Sequence, residues 1–275
     1  MNRILSSFVA AATLAVLAAC ASTDAGNSKL NQPVPGADQD PGYAKVTTPA
    51  LSQNYVQRIA EKKQQAEKEG KDIKLVLVGD SITHFWEGGG MFGGFGGGFG
   101  GGQGQQNNQP RQNSWSDLAV FHPLNLGFAG DRTENILHVV KNEGIFELID
   151  PKLVTVMIGT NNFGMHESEP VATAEAIRQI VLAIKEKAPN AKILLYGIFP
   201  RGDGLGDKCA ATNEIIKDFA DNKVVFYEDL TPKLTDENGK LIQGVMNFDQ
   251  LHPAEPGYRI WADSILEFTK NHDIK

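Results

Sequence analysis

Short apolar segments recur along this chain, and each one is followed in the sequence by a segment with a helical pattern of apolar residues. The apolar segments occupy residues 74–78, 124–126, 153–158, 192–198 and 224–227. Strands that are apolar on both faces are typical of a parallel sheet with helices packed on each side. The alternation therefore predicts an α/β fold with a five-stranded parallel sheet. In such folds ligands bind at the carboxyl ends of the strands.

Helices are predicted between and around these strands. A first helix is expected to begin at Thr48-Pro49 and to end at Gly70, with Leu51, Tyr55 and Ile59 on one face. Further helices are expected over residues 132–141, 171–187, 211–220 and 258–269.

The first twenty residues have the features of a lipoprotein signal peptide (1–20). Arg3 gives a basic start, residues 4–17 are apolar apart from Ser and Thr, and the stretch is too short to span a bilayer comfortably. The run Leu17-Ala18-Ala19-Cys20 resembles a bacterial lipobox, in which the cysteine is lipidated. An ordinary signal peptide cleaved near Ala21 is the alternative. We expect an exported protein that is anchored through Cys20, in the outer membrane or facing the periplasm if the organism is Gram-negative.

Two further segments carry little apolar sequence. Residues 21–49 are rich in Asn, Ser, Gly, Pro and Asp, and this composition predicts a flexible tether. Residues 88–112 are mostly Gly, Gln and Asn, so they are predicted to be a low-complexity insertion. The folded domain is therefore expected over residues 50–275, interrupted by that insertion.

Charge and cysteine content exclude other classes of protein. The formal charge of −7 argues against nucleic acid as a partner, because phosphates require basic patches. The chain has two cysteines, and if Cys20 carries lipid, Cys209 has no partner. A disulfide framework is therefore not expected to stabilise the fold.

Four motifs follow predicted strands or precede the last predicted helix. They are Gly79-Asp80-Ser81-Ile82-Thr83, Gly127-Phe128-Ala129-Gly130-Asp131, Gly159-Thr160-Asn161-Asn162 and Asp249-Gln250-Leu251-His252-Pro253. Strands of a parallel sheet end at one edge, so these motifs should converge there.

The residue types in these motifs suit acyl transfer. Ser81 lies at a strand-to-helix turn and needs a base to take its proton, for which His252 is the candidate. Asp249 can hold the imidazole tautomer and stabilise the imidazolium. The backbone N–H groups of Ser81 and Gly130, together with the Asn161 amide, can donate to an oxyanion.

The four motifs resemble those of the SGNH (GDSL-type) hydrolase superfamily in order and spacing. The likeness extends to Asn125–Thr133 and Gly197–Gly202 of this sequence, where it is closer to the catalytic subunits of intracellular platelet-activating-factor acetylhydrolase and their bacterial relatives. It covers roughly residues 51–268 and fails at the glycine-rich insertion and the N-terminal anchor. It implies a three-layer α/β/α sandwich of flavodoxin-like type, with Ser81, Asp249 and His252 catalytic and Ser81, Gly130 and Asn161 in the oxyanion hole.

Several other polar residues are expected to have structural roles. Asp80 and Asp131 are predicted to bond loop amides, and Arg201 to form an ion pair, although contact with substrate is an alternative for Arg201. The remaining histidines have no spacing typical of metal ligands, so no metal and no other cofactor are predicted. These histidines are His84, His122, His138 and His166.

Three functions remain open at this point. The favoured one is a serine esterase that removes small acyl groups, acetyl above all, from an extracytoplasmic carbohydrate or a similar polar substrate. A lysophospholipase, thioesterase or lipase acting on lipids is the second. The third is a non-catalytic surface-binding protein on the same fold. The sequence leaves the natural acyl group, its acceptor and the oligomeric state undetermined.

Overall fold

A computed structural model of the chain describes residues 28–88, 114–166 and 168–275. In these residues five strands form one sheet, and every neighbouring pair is parallel. The strands are β1 (Leu75–Gly79), β2 (Leu124–Gly127), β3 (Leu153–Met157), β4 (Lys192–Tyr196) and β5 (Val225–Glu228). Their order in the sheet is β2-β1-β3-β4-β5.

Helices cover both faces of this sheet. The α-helices of the described residues are α1 (Tyr43–Thr47), α2 (Val56–Glu69), α3 (Ser81–Glu87), α4 (Thr133–Asn142), α5 (Thr160–His166), α6 (Pro170–Lys187), α7 (Gly206–Ile216), α8 (Thr231–Leu234) and α9 (Glu255–Asn271). One apolar core joins the sheet to α2, α4, α6 and α7, and a second joins its other face to α3 and α9. The predicted three-layer sandwich is thereby confirmed.

The strand order determines where a site can form. The chain runs from β1 to β2 in one direction and then continues through β3, β4 and β5 in the other. The reversal lies between β1 and β3, and the loops that follow two such strands diverge to leave a crevice at the carboxyl edge of the sheet. Ser81 directly follows the loop after β1, and Asn161 lies just beyond β3.

The prediction of a flexible tether over residues 21–49 is wrong for residues 28–49. Residues 28–48, here called the N-terminal strap, pack against α6, α4 and the 3-10 turn at Lys217–Phe219. Four apolar side chains in the strap are at most 7% exposed, namely Leu30, Val34, Ala37 and Val46. Burying side chains of this kind contributes about 1.5–3 kcal/mol for the larger ones, which offsets the entropy lost on ordering.

Hydrogen bonds fix the strap at both of its ends. Ser28 Oγ donates to the carbonyl of Phe219 at 2.7 Å. At the other end, Thr133 Oγ1 donates to the carbonyl of Val46 at 3.0 Å. The folded domain therefore begins before residue 50.

The other N-terminal predictions and most of the insertion lie outside the described residues. This holds for the signal peptide (1–20), Cys20, and the part of the 88–112 segment beyond Gly88. In the part of the chain that the structure describes, every helix is too short or too polar to cross a membrane.

Candidate active site

Three side chains from two distant parts of the chain form a hydrogen-bonded line at the carboxyl edge of the sheet. His252 Nε2 lies 2.8 Å from Ser81 Oγ, and His252 Nδ1 lies 2.6 Å from Asp249 Oδ2. An ionised carboxylate can only accept, so Nδ1 carries the hydrogen and Nε2 can accept from the Ser81 hydroxyl. The structure thus brings together the predicted nucleophile, base and orienting acid.

The same carboxylate shapes the loop that carries the imidazole. Asp249 Oδ1 accepts the backbone N–H groups of Leu251 and His252, each at 3.0 Å. Burial alone would raise the pKa of Asp249, but the hydrogen bonds from His252 and Leu251 outweigh burial and hold this pKa below its ordinary value. Asp249 is therefore ionised and can stabilise the imidazolium that forms when His252 takes a proton.

Ser81 is held at the start of α3 by the residue before it. Asp80 Oδ1 accepts the backbone N–H of Ile82 at 3.0 Å, so this carboxylate caps the first turn of α3 instead of bonding the predicted loop amide. Among the described residues the other carboxylate oxygen, Oδ2, is buried without a hydrogen-bond partner. Burial raises the pKa of Asp80 to about 7.

The two other predicted oxyanion donors lie just beyond β2 and β3, Gly130 in the loop after β2 and Asn161 in the first turn of α5. β2 and β3 flank β1 on its two sides, so the residues that follow them lie on either side of the residues that follow β1. Gly130 has a left-handed backbone, with φ of 77°. Asn161 is 8% exposed, and its Nδ2 donates to the carbonyl of Asp131 at 2.9 Å. A primary amide has two hydrogens, which leaves one of them for a substrate oxygen.

The Asp131 side chain has surroundings that the sequence did not indicate. In the described residues its Oδ2 is buried without a hydrogen-bond partner, and the Ser52 hydroxyl, just beyond the strap, tends to lower the pKa of the carboxyl group. Burial raises the pKa of Asp131 to about 7. The sequence could not reveal this contact because Ser52 lies 79 residues away along the chain.

His84 was expected to be an ordinary polar residue, and the structure gives it a specific place beside the site. Its Nδ1 accepts the backbone N–H of Ala129 at 3.2 Å, directly before Gly130. Burial lowers the pKa of His84 to about 4, and the positive charge of Arg58 adds to this effect. His84 is therefore neutral at physiological pH and can remain an acceptor for the oxyanion loop.

Tyr258 links the two catalytic segments and was not singled out from the sequence. Its hydroxyl donates to the carbonyl of Ile82 at 2.8 Å, which joins α9 to the first turn of α3. Trp86 stacks between Tyr258 and Trp261, with ring centroids 5.3 and 4.6 Å apart. This buried aromatic packing fixes the nucleophile's helix against the helix that follows His252.

Arg201 forms the predicted ion pair, through Nε to Asp203 Oδ1 at 2.7 Å. Residues 28–88, 114–166 and 168–275 hold no group of three His, Cys, Asp or Glu side chains positioned for a metal ion. The expectation that no metal is required stays a prediction. The side chain of His166 lies outside the described part of the chain.

A serine, an imidazole and a carboxylate in hydrogen-bonded sequence, at the carboxyl edge of a flavodoxin-like parallel sheet, define the class of α/β serine hydrolases. The GDSL-like lipase/acylhydrolase family matches residues 77–260 of this chain. That span covers most of the sheet, together with Ser81, Gly130, Asn161, Asp249 and His252. The chain therefore belongs to this family.

Individual relatives agree with the family assignment. Bovine platelet-activating factor acetylhydrolase IB subunit alpha1 is 34% identical over 149 residues, which is 52% of this chain and 62% of the relative. The match thus spans about three fifths of the length of that curated relative.

Two solved structures share the fold. One is a proposed acylhydrolase from Bacteroides fragilis, with a TM-score of 0.61, 18% identity, and coverage of 81% of this chain and 99% of that one. The other is a variant of an acetyl-xylooligosaccharide esterase from Geobacillus, with a TM-score of 0.52, 21% identity, and coverage of 73% and 95%.

Proposed function

We propose that this protein is a serine esterase that hydrolyses small acyl esters, acetyl above all, of an extracytoplasmic carbohydrate or a similar polar substrate. The observation that carries the proposal is the line Ser81–His252–Asp249, with separations of 2.8 and 2.6 Å and three candidate oxyanion donors at the carboxyl edge of the sheet. Family membership supports the same reaction class.

The first half of the reaction forms an acyl-enzyme. The Ser81 hydroxyl gives its proton to His252 Nε2 as Oγ attacks the ester carbonyl carbon. Negative charge develops on the carbonyl oxygen, where the N–H groups of Gly130 and Ser81 and the Asn161 amide can donate to it. His252 then gives the proton to the alcohol oxygen, the C–O bond breaks, and the alcohol leaves.

The second half repeats these steps with water. Water loses a proton to His252 and attacks the acyl-enzyme carbonyl carbon. The tetrahedral intermediate collapses, the bond to Ser81 Oγ breaks, and Oγ takes the proton back. Asp249 remains ionised throughout and stabilises the imidazolium at each stage.

The surroundings of His252 support a polar alcohol as the leaving group. His252 must deliver its proton to the leaving oxygen, so the alcohol has to lie on the imidazole side of Ser81. A surface cavity of about 500 Å³ adjoins the loop that carries Asp249, and Gln243, Asn247 and Gln250 are among its lining residues. The names of the acetylhydrolase and acetyl-xylooligosaccharide esterase relatives support acetyl as the acyl group.

A lipid-directed acylhydrolase is the second candidate, and two exposed apolar side chains favour it. Phe248, directly before Asp249, is 80% exposed, and Met165 is 54% exposed. The Met165 Cε lies 3.7 Å from where a Cβ at Gly130 would be. An apolar chain could contact both side chains as it entered the site.

Rates on p-nitrophenyl acetate, butyrate and octanoate separate these two candidates. The favoured proposal predicts that kcat/KM falls as the acyl chain lengthens, whereas a lipid-directed enzyme would show the opposite trend. Ser81→Ala should abolish turnover and labelling by a fluorophosphonate probe. If wild-type protein neither turns over these esters nor reacts with the probe, it is the non-catalytic binding protein instead.

The location is part of the same proposal and rests on the sequence alone. Export and lipidation at Cys20 predict incorporation of labelled palmitate in a bacterial host. Cys20→Ser should abolish this label and leave the precursor unprocessed. Palmitate incorporation that persists in Cys20→Ser would refute the assignment of the lipid to this residue.

A further inference from the structure

Arg201, in the loop after β4, is bonded to the first residue of α5, next to Asn161. Its Nη1 donates to both oxygens of Thr160, to the backbone carbonyl at 3.0 Å and to Oγ1 at 2.7 Å. Thr160 is fully buried, is the first residue of α5, and directly precedes Asn161. The guanidinium therefore fixes the residue directly before Asn161, whose side-chain amide is the candidate oxyanion donor.

The other end of the guanidinium is fixed as well. Nε and Nη2 both bond the carboxylate of Asp203, in a forked arrangement that holds the planar group in one orientation. The Arg201 side chain is only 7% exposed, although Asp203 is 43% exposed. Arg201 is one of the residues lining the cavity of about 500 Å³, but its guanidinium already bonds Asp203 on one side and Thr160 on the other.

Asn161 is held at two points, its backbone beside Thr160 and its side-chain amide on the loop after β2. Its Nδ2 donates to the carbonyl of Asp131, in the loop after β2. The amide is thus placed both by the start of α5 and by the loop after β2, and Arg201 fixes the start of α5. A displacement of about 1 Å at such a donor can lower a rate by roughly 10²-fold.

We propose that Arg201 is a positioning residue that acts through Thr160 to set the Asn161 amide for the oxyanion. This inference rests on the proposed esterase function. In this role Arg201 acts through Thr160 rather than on the reacting atoms, and its effect on kcat requires that Asn161 be present. That dependence distinguishes positioning from substrate binding and from a general contribution to stability.

A double-mutant cycle between Arg201 and Asn161 tests the proposal. Arg201→Met should lower kcat on p-nitrophenyl acetate roughly tenfold to hundredfold with KM little changed, because a mislocated amide weakens transition-state binding. Asn161→Ala should lower kcat by roughly 10²–10³. In the Asn161→Ala background, Arg201→Met should lower kcat no further.

Arg178→Met is the matched control. Arg178 is also buried, and it bonds a carboxylate (Glu175) and a backbone carbonyl (Leu30) in the same manner, on α6 away from the site. This variant should lose stability but keep its kcat per active site. Fluorophosphonate titration gives the number of folded active sites in every variant, so misfolding cannot be mistaken for slow catalysis.

Each other outcome overturns the inference. Multiplicative losses in the double variant would show that Arg201 acts independently of Asn161, and a change confined to KM would make it a substrate-binding residue. Unchanged kcat with a lowered melting temperature would leave it a purely structural ion pair. If wild-type enzyme is inactive on the ester and unreactive toward the probe, the proposed function itself fails, which is a separate result.

Discussion

The buried carboxyl group of Asp80 should make the stability of this protein fall as pH rises, and Asp80→Asn should remove that part of the fall. Burial raises the pKa of Asp80 from 3.8 to about 7. Between these two values the folded state binds more protons than the unfolded state. The stability that protonated Asp80 contributes is therefore fully present below about pH 4 and is lost as pH rises through about 7.

The size of the effect follows from the distance between the folded and unfolded pKa values. The part of that interval above pH 5 is roughly two pH units wide, and an extra bound proton in the folded state changes stability by about 1.4 kcal/mol for each pH unit. Between pH 5 and pH 8, Asp80 should therefore contribute a loss on the order of 2.5 kcal/mol. An asparagine keeps the Oδ1 acceptor for the Ile82 N–H and cannot ionise.

Urea unfolding of wild type and Asp80→Asn at pH 5 and pH 8 measures this contribution. The variant's free energy of unfolding, relative to wild type, should be higher at pH 8 than at pH 5 by the amount given above. Any constant penalty from an unpaired amide N–H₂ cancels in this difference. Asp229→Asn is the matched control, since exposed Asp229 accepts the N–H of Thr231 at the same spacing. Equal pH dependence of wild type and Asp80→Asn would refute the reasoning.

Two further variants probe the strap and the oxyanion loop. Leu30→Ala should lower the free energy of unfolding by about 2–5 kcal/mol, because Leu30 is 1% exposed, whereas Leu51→Ala at a 37% exposed position should change it little. A loss under about 0.5 kcal/mol at Leu30 would mean that the strap does not pack in solution. Gly130→Ala should lower kcat because its φ of 77° strains any residue with a Cβ and shifts the N–H, although the added methyl group has room. Gly36→Ala, with the same φ of 77° at an exposed position in the strap, should leave kcat unchanged, and an equally active Gly130→Ala would exclude the oxyanion role.

The fold and the triad could be predicted because each depends on local sequence patterns. The apolar strands start and end within a few residues of their predicted bounds, since burial on both faces leaves few polar residues inside them. The catalytic residues could be placed because each follows a strand or precedes α9, and topology then brings those points together. Asp249 and His252 are also close in sequence, so their pairing is nearly local.

The contacts that were missed are made between segments far apart in sequence. The strap's buried residues stand singly among polar neighbours, with no helical or strand period to mark them. The first long helix begins at Val56 rather than at Thr48, because the chain after the strap first forms a short 3-10 turn at Gln53–Tyr55. The roles of His84 and Tyr258 each consist of one hydrogen bond to the backbone of a distant or neighbouring element, and residue type alone does not specify such a bond.

The course of the strap bears on how an anchored enzyme would be oriented. Ser28 is bonded to Phe219, which lies shortly before β5 and therefore at the amino edge of the sheet, whereas Ser81 and Asn161 follow the carboxyl ends of their strands. The eight peptide units from Cys20 to Ser28 can span at most about 28 Å. With lipid on Cys20, the amino edge would be held near the bilayer and the catalytic edge would point into the aqueous envelope.

This orientation would favour soluble esters over esters embedded in the same membrane. Full-length protein in liposomes should hydrolyse p-nitrophenyl acetate as fast as a lipid-free form does. On an acylated lipid in its own vesicle, the anchored protein should act more slowly than the lipid-free form. Equal rates on that lipid would argue against an outward-facing site. The short segment between Cys20 and Ser28 would thus limit which substrates reach the site, independently of the shape of any pocket.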